Sequence, residues 1–593
     1  MTVAAAAAPS WLERWLRPGA TGRRDVTVDL LWLVGLALVL MGAGLGLRDP
    51  WPADEPRFAL VAQDMLRSGD WLIPRVGGDI YGDKPPVFFW LMASAMAVTG
   101  SLRIGFLLPS LLAGLGCVVL VYDLVRRVHG REAAFAGALL LLITFQFVWQ
   151  FRQAQIDGVL CFLTTLSLYG LLRHLLAGPA IGWFFAGWAA AGLGVITKGV
   201  GFLPLLVLVP FVVLRVRGWT ATAPARDMRW WLGPVFFLGA IAVWFVPMLL
   251  ATSAGGELLD YRNEILFHQT VTRYAGAWHH HEPAWYYFVN VIPVLWLPLV
   301  ALVPWLWPRW RSALRTKDTT ARETFVAVLL AWVVIVVLFF SASAGKRGVY
   351  VLPALPALAM AAAPWAPELL RRLGPRRLAF GLAALLAGAM TLGAVYFLLD
   401  AEATARVVRD QGLRPAVPLA VAGLLGLAAV AYFRVRDGWL AYGATLAAVL
   451  VTVGVVVYPQ IDARRSGAEF MGQVAEATAG IDELGLVGAK EQYLLELSRP
   501  SVNFGHARWR EREQETADAA AWFAAKPGRA LLLDDKALEA CFDAAQARPL
   551  ARANRQQWFL VTGGAAKQKC VESGNLGRAR SYIPPNASIN SAG

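Results

Sequence analysis

The sequence predicts a polytopic α-helical membrane protein of about 13 transmembrane helices, followed by a soluble α/β domain at the C-terminus. Three observations predict it. Of 593 residues, 57% are hydrophobic and only 16% charged, with a mean hydropathy of +0.51, more apolar than soluble domains run. Apolar windows of about 20 residues recur along most of the length, which is what a hydrocarbon core of roughly 30 Å requires. Lys and Arg gather in short loops between those windows, so the positive-inside rule accounts for the net charge of +14. No nucleic-acid motif accompanies that charge, and nucleic acid is excluded as a partner.

Residues 1–27 carry Arg14, Arg17, Arg23 and Arg24 and are assigned to the cytoplasm. The stretch 28–47 is the first span, with no small-residue cleavage site after it. The outward segment 48–101 is rich in charge, Pro and Gly. Its apolar part, 86–99, is too short to cross and is expected to be an interfacial helix. Further spans are expected at 103–125, 132–150, 158–176, 180–197, 199–214, 231–252, 284–307, 324–341, 349–366, 378–399, 415–433 and 438–458, making 28–458 the membrane domain. This threading places 23 of the 55 Lys and Arg in the N-terminal segment and six compact inward loops. Counting 86–99 as a crossing would turn those loops outward and break the rule.

The spans 180–197 and 199–214 meet at Thr197-Lys198-Gly199 with almost no loop. That turn is expected to be lined by protein, the setting in which irregular backbone is tolerated at membrane depth. From 459 to 593 hydrophobicity falls. Val487 and Leu531-Leu532-Leu533 read as strands, and 467–480 and 511–525 as helices, giving a small α/β domain on the outer face. Cys117 and Cys161 lie in apolar spans and are expected to be buried. Cys541 and Cys570 are placed to pair if their domain is periplasmic.

With the chain threaded, the conspicuous polar residues share one side. They are Asp54-Glu55-Pro56-Arg57 after the first span, Tyr81-Gly82-Asp83-Lys84 before the interfacial helix, Arg152 and Asp157, and Lys198. The loop 253–283 adds His268, Arg273 and the run His279-His280-His281, and the next turn adds Lys346, Arg347 and Tyr350. Each has an ordinary explanation by itself. A carboxylate at 54 or 157 suits a helix N-cap, lysines at 198 or 346 suit snorkelling to head groups, and three successive histidines lack helical ligand spacing. The convergence is what these explanations omit, since ionisable groups at span ends are costly.

Together the residue types suit glycosyl transfer from a lipid phosphate. Lys and Arg hold the phosphate, and a carboxylate near the anomeric carbon acts as base or stabilises the positive sugar. A divalent metal, zinc or magnesium, held by His and carboxylate would add to this. No glycine-rich nucleotide motif is present. The rival reading, a transporter or flippase of lipid-linked sugars, calls for inverted repeats and ionisable groups near the midplane, and neither is found.

The motifs at Asp54–Phe58, Gly69–Arg75, Tyr81–Pro86, Arg152…Asp157, Thr197–Gly199, His268…Arg273 and Lys346…Tyr350–Pro353 resemble the bacterial aminoarabinose transferase-like, lipid A-modifying glycosyltransferases of the GT-C fold. More distantly they are similar to protein O-mannosyltransferases. The resemblance implies an undecaprenyl phosphate-linked donor, an inverting mechanism, and lipid A or another periplasmic glycan or protein as acceptor, at a bacterial inner membrane. It implies Asp54 as the main catalytic carboxylate and Asp157 as a second acid. Arg57, Tyr81, Lys84, Lys198, Arg273, Lys346 and Tyr350 would bind substrate, with Lys84 and Lys198 on phosphate. Asp83 and His268 would hold the metal. The chain departs from the family in having Asp83 where Glu is usual, one methylene shorter, and in having no His between His281 and His506.

Overall fold

The computed structural model describes residues 23–220, 227–266, 281–316, 320–488, 490–505, 511–563 and 566–584. The chain forms two compact units. One combines Met1–Leu47 with Leu107–Tyr458, and the other combines Arg48–Phe106 with Pro459–Gly593.

The first unit is a helical bundle. Among the described residues nine helices are long and apolar enough to cross a membrane, or ten if Tyr287–Leu295 and Val300–Arg315, bent by 95°, make one crossing. The expected spans at 132–150, 199–214 and 349–366 fall on shorter pieces. The first is Arg131–Leu142 followed by Phe145–Gln150. The second is a 3-10 run Val200–Val207 containing Pro204, continued by Leu208–Val216. The third is Ala354–Ala362 between 3-10 turns at Gly348–Val351 and Ala363–Trp365. The helix Ile156–Leu176 is central, 83% buried, whereas Met228–Ala251 at 11% and Leu373–Leu399 at 17% present most of their apolar surface outward, as lipid-facing helices do.

Ile156–Leu176 packs against Ile181–Lys198 at a glycine contact. A Cβ on Gly170 would lie 2.2 Å from the Trp183 carbonyl oxygen, and one on Gly187 would lie 2.9 Å from that of Ser167. Small residues that admit a close backbone are the usual currency of helix association in lipid. Here they bring the helix starting at Asp157 against the helix ending at Lys198. The turn after Lys198 is protein-lined: Thr197, Val200 and Leu203 are buried, and the Leu203 carbonyl accepts from Trp332 Nε1 at 2.8 Å.

The second unit contains a hairpin, β1 (Arg75–Val76) with β2 (Asp79–Ile80), and a six-stranded sheet. The strands are β3 (Glu483–Leu486), β4 (Ser501–Asn503), β5 (Arg529–Asp534), β6 (Ala547–Ala553), β7 (Gln556–Thr562) and β8 (Arg580–Tyr582), in the order β6-β7-β5-β3-β4-β8. β3 runs parallel to β4 and β5, and β7, β6 and β8 pair antiparallel. Leu531 to Leu533 lie in β5, and Val487 follows β3 and still donates to the Leu532 carbonyl at 2.9 Å. The expected helices are Ala468–Ala477 and Arg512–Ala524. Trp522, Leu531, Leu533, Phe542 and Val561 fill the core, where Cys541 and Cys570 form a disulfide. Cys117 and Cys161 are free and buried.

The segment Arg48–Phe106 belongs to this same unit. Helix Glu55–Ser68 packs on Glu491–Leu495 and on β1. The Asn503 amide donates to the Gly77 carbonyl at 2.8 Å, and Arg580 bonds Asp79 at 3.2 Å. The 13-residue apolar helix Val87–Thr99, shorter than a span, sets Phe88 and Phe89 against Phe58.

Candidate active site

In the helical unit three of the sequence-derived residues meet. Lys198 Nζ lies 2.5 Å from Asp157 Oδ1, with the two side chains 18% and 10% exposed, and 4.1 Å above the Tyr350 ring. Asp157 opens a helix, but its carboxylate is taken by this ammonium. A cation that keeps some solvent contact while an acid and an aromatic face hold it is a prepared anion-binding group. Lys346, 4% exposed, donates to the carbonyls of Glu282 (2.8 Å) and Ser343 (2.5 Å), which ties the segment after the histidine run to the turn carrying Tyr350. His281 is exposed, and its backbone bridges Gly345. Arg152 has a structural role: it is buried and donates to the carbonyls of Leu40 (2.7 Å) and Leu450 (2.9 Å).

In the other unit Asp54 sits at the N-cap of Glu55–Ser68, yet its side chain makes no capping bond. Its neighbours fix the loop beneath it. Buried Arg48 engages the Glu55 carboxylate with both terminal nitrogens, Nη2 to Oε1 at 2.7 Å, and stacks over Trp51 at 4.6 Å. Glu55 also accepts from the Trp51 backbone N–H at 2.9 Å. Asp462 accepts from the Asp49 backbone N–H and from Trp51 Nε1, at 2.9 and 2.8 Å. A buried pair with this many partners favours one loop conformation.

Arg57 bonds Glu491 at 2.8 Å and approaches Asp83 at 3.9 Å. Burial works against its charge, but Glu491, Tyr81 and Asp83 outweigh it and hold the guanidinium firmly protonated. Tyr81, 2% exposed, has its hydroxyl pushed well above the ordinary phenol value by burial and then by Asp83. Lys84 donates to the Asp83 carbonyl at 2.7 Å. On the buried face of the same helix, Asp64 bonds Arg67 at 2.9 Å, and Arg67 and the Gly77 and Gly78 amides favour its charged form. Burial still pushes its carboxyl up to about 6.

His268 and Arg273, with His279 and His280, lie outside the described residues. Among the described residues no three of His, Cys, Asp and Glu come together as a metal would need, and the Asp83 carboxylate, 47% exposed, has the Arg57 guanidinium as its neighbour. The described residues by themselves form no metal site. Arg48 and Glu491 escaped the sequence reading, which named Glu55 but not its partner. The only signal for Arg48 was a charge facing Glu55 across a short Trp-containing loop. Glu491 gave none, being more than 400 positions from Arg57.

Residues 83–249 match a family model described as dolichyl-phosphate-mannose-protein mannosyltransferase. The chain is similar to the undecaprenyl phosphate-alpha-4-amino-4-deoxy-L-arabinose arabinosyl transferase 2 of Pseudomonas fluorescens, 32% identical over 62% of this chain and 65% of that one. A Pseudomonas aeruginosa arabinosyl transferase of the same description is 32% identical over 57% and 59%. The fold is that of the crystal structure of ArnT from Cupriavidus metallidurans bound to undecaprenyl phosphate, with a TM-score of 0.69 and 23% identity, covering 91% of this chain and 99% of that one. The chain thus shares the fold of that structure and is similar in sequence to the arabinosyl transferases. It spans just under two thirds of the length of the curated arabinosyl transferases. The residues matched by the mannosyltransferase family model include the helices that carry Asp157 and Lys198.

Proposed function

We propose that this chain is a membrane glycosyltransferase. It moves a sugar, with 4-amino-4-deoxy-L-arabinose the first candidate, from undecaprenyl phosphate to lipid A or another acceptor on the periplasmic face of a bacterial inner membrane. In this reading the shorter broken helices complete about 13 crossings, and 459–593 is periplasmic. The observation that carries the reading is the Lys198 ammonium, held between Asp157 and Tyr350 in an apolar bundle of this fold. A lipid phosphate is the anion such a group meets inside a membrane.

In the helical unit Lys198 holds donor phosphate and Lys346 and Tyr350 shape the donor's surroundings, and in the other unit Lys84 is the phosphate-binding lysine, with Arg57 and Tyr81 as substrate-binding residues. The bond from the anomeric carbon to the phosphate oxygen breaks, and undecaprenyl phosphate leaves with the electron pair. Lysines that stabilise this departing charge lower the barrier. An acceptor phosphate attacks already ionised, so no proton moves, and Asp54 acts by charge and position on the positive sugar. A hydroxyl acceptor would instead give its proton to Asp54.

The test is incubation of the purified protein with labelled undecaprenyl phosphate sugars and lipid A. Transfer is expected from the wild type, and Asp54→Asn is expected to abolish it while the protein stays folded. Movement of label across vesicles without transfer would establish the flippase reading instead, and full activity in Asp54→Asn would remove Asp54 from the reaction.

A further inference from the structure

The helical unit has a second polar concavity that the transfer reaction does not use. Helix Ile156–Leu176 starts beside Asp157, and its 21 residues carry the chain about 30 Å. At its far end Leu176 lines a cavity of about 730 Å³. Helix Ala321–Ala342 runs between the same two places, from the cavity wall at Arg322 to the segment before Lys346. Two helices therefore separate this cavity from the Lys198 site by the thickness of a hydrocarbon core.

The lining joins two guanidinium groups to an apolar wall. Arg127 and Arg322 supply the charge, and Val128, Leu176, Val326 and Trp365 supply apolar surface. The nearby acid is already engaged: Glu323 accepts from the Thr320 backbone N–H and hydroxyl at 2.8 and 2.9 Å. Arg127 uses Nε on Asp123 at 2.6 Å, and Arg322 uses Nε on the Val128 carbonyl at 3.1 Å. Each side chain is oriented by a bond from its Nε, and both guanidinium groups belong to residues that line the cavity. A planar fork matched to phosphate oxygens beside an apolar wall and an indole is what a phospholipid head and its first acyl carbons require.

We propose that this cavity binds the head group of an anionic phosphoglycerol lipid from the leaflet opposite the Lys198 site. Charge complementarity selects the anionic lipid, and the apolar wall favours a lipid over free phosphate. Bound there, the lipid joins the ends of three helices, Leu108–His129, Ile156–Leu176 and Ala321–Ala342.

The test is native mass spectrometry of the full-length protein titrated with phosphatidylglycerol or phosphatidylcholine, repeated in millimolar inorganic phosphate. The wild type is expected to retain phosphatidylglycerol in preference, and phosphate should not displace it. Arg127→Gln with Arg322→Gln should weaken retention about tenfold or more, the effect of losing charge-assisted hydrogen bonds. Should that pair fail to fold, Arg127→Lys with Arg322→Lys keeps the charge but loses the fork, and a smaller measurable weakening is expected. Equal retention of the two lipids, displacement by phosphate, or unchanged affinity in the lysine pair would overturn the proposal.

Discussion

Replacing Lys198 separates two jobs that one ammonium performs. In Lys198→Met the Asp157 carboxylate, 10% exposed in the wild type, loses its counter-charge inside an apolar bundle. Breaking a buried ion pair from one side costs about 3–5 kcal/mol, so thermal unfolding in detergent should shift down clearly. Donor binding should fall as well, because a charge-assisted contact to phosphate contributes about 1.5–3 kcal/mol, or roughly 10- to 150-fold in affinity. The double variant Lys198→Met with Asp157→Leu distinguishes the two effects. Removing both charges is close to neutral or even stabilising when the replacements fill the space, so the melting temperature should recover. Donor affinity, measured with undecaprenyl phosphate by scintillation proximity or calorimetry, should not. A double variant that regains donor binding along with stability would refute the phosphate role and leave the pair a structural tie.

The remaining predictions concern packing within each of the two units. Burial raises the Asp64 carboxyl from 3.8 to about 6. Its contribution is fully present below pH 3.8 and is lost as pH rises to about 6, a change of about 3 kcal/mol. Asp64→Asn should remove that component, so the stability difference between variant and wild type should change between pH 4 and pH 7, and a flat difference would contradict the burial argument. Reducing the Cys541–Cys570 disulfide, which closes a loop with a separation of 29 residues, should cost about 3.5 kcal/mol on the chain-entropy estimate, read as a lower melting temperature with dithiothreitol. Gly187→Leu places a side chain against the Ser167 carbonyl and should force the Asp157 and Lys198 helices apart. Loss of transfer with retained expression is expected, and wild-type transfer would show that their spacing is not critical.

Residue type and local order carried much of this architecture. The arginine loops guided the expected alternation of spans, and Gly199 follows the helix end that presents Lys198. The disulfide followed from two cysteines in a polar region. What hydropathy could not show was where an apolar run breaks. Pro204 and Pro353, and the 3-10 turns at Val200–Val207 and Ala363–Trp365, leave the mean apolarity of a window unchanged while ending the helix. Nor does a carboxylate announce its partner. Asp157 and Asp54 both read as N-caps, and only the fold shows that the first binds a lysine and that the second leaves its helix uncapped. The long-range pairs, Glu491 with Arg57 and Asp462 with Trp51, depend on segments that sequence order keeps far apart.

The unit built from Arg48–Phe106 and Pro459–Gly593 also constrains the order of biosynthesis. Its first segment leaves the ribosome several hundred residues before its second. At about 5–20 residues per second that interval is roughly 20–70 s. Throughout it, Trp51 lacks Asp462, Arg57 lacks Glu491 and the Gly77 turn lacks Asn503. The loop bearing Asp54 stays unfinished until the end of the chain has been made. A nascent chain halted before residue 459 would carry every one of the candidate site residues and still have no completed loop to hold Asp54.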